Sequence, residues 1–167
     1  LVYVALLSLS LYTFIYGLMS LDASNLKNSM IPGKTTTVAA IFTILMAFML
    51  AFMWLSLIIG SLISGSAPAV LETYTTLVIQ ALDLAVLIPA AIIAGLLLLK
   101  GRAWGYVLMS ILIVKISLMG TAIMSMIYFM AQNGVEIVLG QALFFVIVTV
   151  GGIIIAGLFY NKVDSTV

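Results

Sequence analysis

Two charged residues lie deep inside apolar sequence, Asp83 within LVIQALDLAVLIP and Lys115 within YVLMSILIVKISLMG, and chemistry would be sought there first. A carboxylate in hydrocarbon costs about 2.5–3.5 kcal/mol on insertion scales, so it faces protein or water. At about 100° per residue, Thr76, Gln80 and Asp83 share one helix face, which continues through Leu87, Ala90 and Ala94. That face is polar towards its first end and small further along. In a functional reading, Asp83 is a proton or cation site lining a cavity. In a structural reading, its carboxyl bonds to Gln80 or a neighbouring helix and fixes packing. A single carboxylate with no second acid nearby makes a thin proton relay, which favours the structural reading.

Lys115 is the obvious counter-charge, but the geometry of an antiparallel pair disfavours it. Counting outward from the turn at Lys100–Gly105 sets Asp83 level with Thr121 and Lys115 level with Pro89, an axial offset of ~10 Å. The Cα–Cβ bond of Lys115 also tilts away from Asp83. Pro89 has no amide hydrogen, frees the carbonyl of Ala85 and marks a helix kink. An extended Lys115 ammonium would reach that carbonyl or snorkel towards the interface, and snorkelling is favoured.

The elements that position these residues are five apolar runs, approximately 1–21, 38–63, 77–99, 106–130 and 138–159. Each can span ~30 Å of hydrocarbon at ~1.5 Å per residue, and none alternates with the period of two that barrel strands require. With 65% hydrophobic and 7% charged residues and a mean hydropathy of +1.39, only a lipid solvent suits the chain. The expected fold is therefore an all-α, polytopic transmembrane helical bundle forming one domain over 1–167. Short connections make consecutive helices antiparallel neighbours.

Lys27, Lys34, Lys100, Arg102 and Lys162 fall on one side of these runs, and the opposite loops carry only Glu72 and Glu136. The positive-inside rule then places the C-terminus in the cytoplasm and Leu1 at the outer side of the cell membrane. A start outside predicts an upstream helix, six spans in the intact protein against five visible. Trp104, Tyr106 and Tyr160 would form the inner aromatic belt, with Tyr74 and Tyr128 in the outer one.

Several function classes are disfavoured. A net charge of +1 gives no field for nucleic acid, and the chain has no histidine or cysteine for a triad, a thiol or a usual zinc site. Gly33, Lys34 and Thr35 imitate the tail of a phosphate loop, but position 28, where its first glycine would stand, is Asn. No cofactor, metal or enzyme activity is expected. The expected partners are the bilayer and a membrane protein or second copy.

Small residues at helical spacing, Ser56, Gly60 and Ser64, Gly152 with Ala156, and the stripe Ser110, Ser117, Thr121 and Ser125, read as close helix contacts. Met46, Met49 and Met53, and Met119, Met126 and Met130, suit core filling better than a thioether copper site. Trp54 reads as packing.

The stretch QALDLAVLIPAAIIAGLLLLKGRAWGYVLMSILIVKISLMGTAI, Gln80 to Ile123, and the opening LVYVALLSLSLYTFIYGLMSLD resemble a family of bacterial and archaeal multi-pass membrane proteins without assigned activity. The resembling positions are Leu82 to Leu84, Ile88 with Pro89, Gly95, the basic turn at Lys100, Gly105 with Tyr106, and Leu118 to Gly120. The resemblance implies six helices, an upstream one being absent here, with the Asp83 position recurrent and the Lys115 position variable.

The leading expectation is a non-catalytic membrane component in which Asp83 is a structural polar contact. The second is a small-solute or proton/cation translocator in which Asp83, Gln80 and Thr76 line a pocket opening outward. A lipid-binding intramembrane enzyme is a distant third.

Overall fold

Uninterrupted apolar sequence with polar caps at the turns produces long helices. The computed structural model describes residues 2–30, 33–68, 71, 76–135 and 137–162. Its helices are α1 (Val2–Ser20), α2 (Ala23–Asn28), α3 (Lys34–Ser64), α4 (Val78–Leu99), α5 (Ala103–Gln132) and α6 (Leu139–Tyr160). All but α2 are long and apolar enough to cross a membrane, and the chain is all-α among the described residues.

Three of the spans match the apolar runs to within a residue or so, while α3 and α5 run past them into polar sequence. The extension of α3 has a local cause. The Thr36 hydroxyl reaches back to the Gly33 backbone, donating to its carbonyl at 2.7 Å and accepting from its amide at 3.3 Å. Orphan groups at the helix start are thereby partnered, and the helix begins at Lys34. At 31 residues α3 is ~46 Å long, more than the hydrocarbon needs. The short α2 comes from Asp22, whose carboxylate accepts from the amides of Ser24 and Asn25 at 2.9 and 3.1 Å, a side-chain N-cap.

α3, α4, α5 and α6 pack as an up-and-down bundle, and α2 lies against α5. Lys27, Lys34, the Lys100–Arg102 turn and Lys162 thus fall at one end, called here the basic end. Met30, Ala39, Ala40, Leu98, Tyr106, Met109, Ile113, Ile155 and Phe159 form a continuous core in that half. The basic turn is closed by amide bonds from Arg102 to Leu97 O and Gly101 to Leu98 O, with Gly101 at φ 62°. That pattern of crossed bonds around a left-handed residue favours glycine. α1 departs from the expected antiparallel packing, since it buries no residue.

The close contacts differ in part from the small-residue stripes. Ser56, Gly60 and Ser64 are exposed, and a Cβ on Gly60 would meet nothing within 4 Å. α3 instead uses Ala40, whose carbonyl oxygen would lie 3.2 Å from a Cβ on Gly95 of α4. Between α5 and α6 the contact is Gly120 against Thr149 and Ser117 against Gly152. Thr121 and Ser125 point outward and bond back to carbonyls four residues earlier. Of the expected inner belt, Trp104 and Tyr160 are exposed, whereas Tyr106 is core, 3% accessible. Tyr74, Glu72, Glu136 and Pro32 lie outside the described residues.

Candidate functional site

Away from the basic end, α3, α4, α5 and α6 line a partly open chamber of about 430 Å³. It reaches from Thr43, Ala91 and Ile116 in the body of the bundle to Ile79, Met130, Ile137 and Val138 at the far end. Its walls are mainly apolar, with Met46, Met119, Met126 and Phe145 prominent, and its polar groups are Asp83, Gln80, Trp54 and Thr43. Thr43 is occupied elsewhere, donating to the Met109 sulfur at 3.4 Å.

Asp83 sits on the α4 wall and is 8% accessible, and Trp54 on α3, also 8% accessible, donates its indole N–H to Oδ2 at 3.0 Å. Indole nitrogen is a donor only and a carboxylate an acceptor, so each satisfies the other in a medium that offers little else. The bond ties α3 to α4. Gln80, one turn before Asp83, is 5% accessible and lines the same chamber. Every fully enclosed side-chain polar atom among the described residues has a hydrogen-bond partner. No described protein group bonds the Gln80 amide or the second Asp83 oxygen, so both are open to the chamber.

A single π-helical turn, Asp83–Leu87, interrupts α4 at this point, with the Ile88 amide bonded to the Asp83 carbonyl. Pro89 follows directly and has no amide to give, so one carbonyl behind it loses its ordinary partner. The wider turn has a consequence for the faces. A continuous α-helix would carry the Gln80 and Asp83 face on through Leu87, Ala90 and Ala94. Leu87 does line the chamber and Ala94 is buried, but Ala90 gives way to Ile88 and Ala91, and the buried residues after the turn are Ile88, Ala91, Ala94, Gly95 and Leu98. A step of five residues from Asp83 to Ile88 lets the same helix bury Asp83 and pack its second half on α3 and α5. Single π turns of this kind occur frequently at functional sites.

Of the residues singled out in sequence, the structure brings Asp83 and Gln80 together. Thr76 precedes the first helical residue of α4, is exposed and lies outside the chamber wall. Lys115 is exposed and does not line the chamber either. Asp83 finds its partner in Trp54 rather than in Gln80 or Lys115. The methionines divide: Met46, Met119, Met126 and Met130 line the chamber, while Met49 is exposed. Trp54 is the residue that sequence reasoning missed as a site member. Only part of its signal was available: an indole and a carboxylate on consecutive helices each need what the other carries, but Trp54 stands ten residues before the end of α3 and Asp83 five after the start of α4, so counting from the turn does not pair them.

No protein-family model, curated protein or solved structure matches the chain. Functional assignment therefore rests on the chamber and its residues.

Proposed function

We propose that this chain is a non-catalytic membrane component that admits a small solute to the chamber and holds it at Asp83, as a small translocator does. One observation carries the reading: a buried carboxylate, with only one oxygen engaged by Trp54, forms part of the wall of a sizeable chamber. A purely structural Asp83 accounts for the bond to Trp54 but not for the space beside it. The positive-inside distribution turns the chamber's far end to the outer face and the closed half to the cytoplasm. The π turn before Pro89 supplies a place where α4 can change shape, as interrupted helices do at transport sites.

The absence of native cysteine makes the test direct. Asp83→Cys and, on the facing α5 wall, Ile123→Cys are made in the intact protein in membranes and exposed to a small, membrane-impermeant thiol reagent added outside. Both positions are expected to label within minutes, and Val107→Cys, fully buried in the closed half, to stay unlabelled. Protection of both chamber positions in folded protein would return Asp83 to a structural contact.

A further inference from the structure

The chamber's electrostatics specify what kind of solute it suits. Asp83 is the only ionisable side chain on its wall among the described residues, and neither Lys nor Arg lines it. A carboxylate in apolar surroundings is costly unless a cation or a proton balances it. Trp54 contributes one neutral donor, and Lys115, the other charge within the spans, is exposed outside the chamber. The balancing charge is thus absent from the protein wall itself.

A bare metal ion fits poorly, because hard cations collect several oxygen ligands and no cluster of three or more acidic side chains exists among the described residues. The walls favour something larger. Thioethers of Met46, Met119 and Met126 and the ring of Phe145 offer polarizable, adaptable surface to an apolar body. Indole is the strongest aromatic partner for a cation, and Trp54 stands beside the carboxylate. Gln80 supplies a second acceptor one turn away, and about 430 Å³ lies in the range of small-molecule sites.

We propose that the solute held at Asp83 is an amphiphilic monocation, a protonated amine carried on an apolar body that fits the chamber. This assignment rests on the reading of the chamber as a solute site. The ammonium donates to the second Asp83 oxygen and to Gln80, the body lies among the methionines, and Trp54 keeps the carboxylate in place. Neutral solutes of the same shape forgo the charge-assisted bond, and anionic ones are repelled.

Three probes with similar phenylalkyl bodies separate the possibilities at pH 7: 4-phenylbutylamine, 4-phenylbutanol and 5-phenylpentanoate. The chain has two tryptophans, so the exposed Trp104→Phe leaves Trp54 as the only reporter of the chamber. In vesicles, the amine is expected to shift Trp54 emission saturably, with an apparent Kd about tenfold or more below that of the alcohol, and the carboxylate to give no shift. Asp83→Asn, which keeps an acceptor for the indole, brings the amine to the alcohol's affinity. Equal affinity of amine and alcohol in the unaltered chamber overturns the cation assignment, as does preference for the carboxylate or no response to all three. Labelling of Asp83→Cys from outside tells these failures apart from failure of the chamber reading, and the probe series on wild-type Asp83 holds even where Asp83→Asn does not fold.

Discussion

The two halves of the bundle are built from the same four helices, yet one is closed and the other lines a partly open chamber. In the basic half, Ala39, Ala40, Gly95 and Gly105 let backbones approach, and the gaps are filled by Met109, Ile113 and Phe159. In the other half, Gly120 still meets Thr149 and Ala47 and Ala91 line the chamber, but most facing positions carry long side chains, among them Leu50, Met119, Ile123 and Phe145, while Ser56 and Gly60 face outward. Apolar character does not decide between these outcomes. Lipid is as apolar as leucine, so helices in a bilayer associate through close packing and polar bonds rather than through expulsion of water. Where small residues face one another the bundle closes; where they do not, Trp54 and Asp83 hold α3 to α4 across a space.

That contrast can be broken by substitution, and the largest effect is expected at Gly105. A Cβ there would meet the backbone of Leu97 and Leu98, which no side-chain rotation relieves. Gly105→Val should lower the unfolding free energy by about 3 kcal/mol in a detergent-denaturation series, whereas Gly60→Val should leave it within about 0.5 kcal/mol. Equal losses at the two glycines would remove the distinction between a packed and an unpacked half.

A smaller effect is expected from Trp54→Phe, which keeps most of the ring but deprives buried Asp83 of its donor. A loss of about 1–3 kcal/mol follows, and Asp83→Asn should lose less because the indole retains an acceptor. Unchanged stability in Trp54→Phe would mean that the α3–α4 bond holds nothing together. Smallest of all is Ala142→Leu on the chamber wall: added bulk enters open space, so stability should stay within about 0.5 kcal/mol. The same change should slow labelling at Asp83→Cys, and a clear loss of stability would show that this wall is already close-packed.

Much of this was legible in the residues. Five apolar runs became five long helices, and the 100° count correctly put Gln80 and Asp83 on one wall. The count failed where its physical premise failed. Thr76 lies before the first turn of α4, so no helical period applies to it, and beyond Asp83 the π turn adds Ile88 and Ala91 to the buried side in place of Ala90, while Leu87 stays on the chamber wall and Ala94 in the core. Pro89 announced an irregularity but not its kind, because a missing amide is compatible with a kink, a broken helix or a wider turn. Asp22 announced α2 through the spacing of an N-cap, a signal overshadowed by the apolar runs on either side. Small-residue spacing was ambiguous for a different reason: it says that backbones can approach, and not which face another helix will take.

The π turn also gives α4 an interval in which one residue can be lost without moving the site. It holds one residue more than an α-helical turn requires, so deleting any one position between Leu84 and Leu87 would let α4 run as a continuous α-helix. Asp83 and Ile88 would then stand four residues apart instead of five, which on an α-helix is the same face, so the carboxylate would still meet Trp54 while the second half of α4 kept its packing on α3 and α5. A single codon lost in that short interval would therefore spare the site, whereas one lost from the regular helix between Ala90 and Ile93 would turn Asp83 about 100° out of register with the residues packed beyond it.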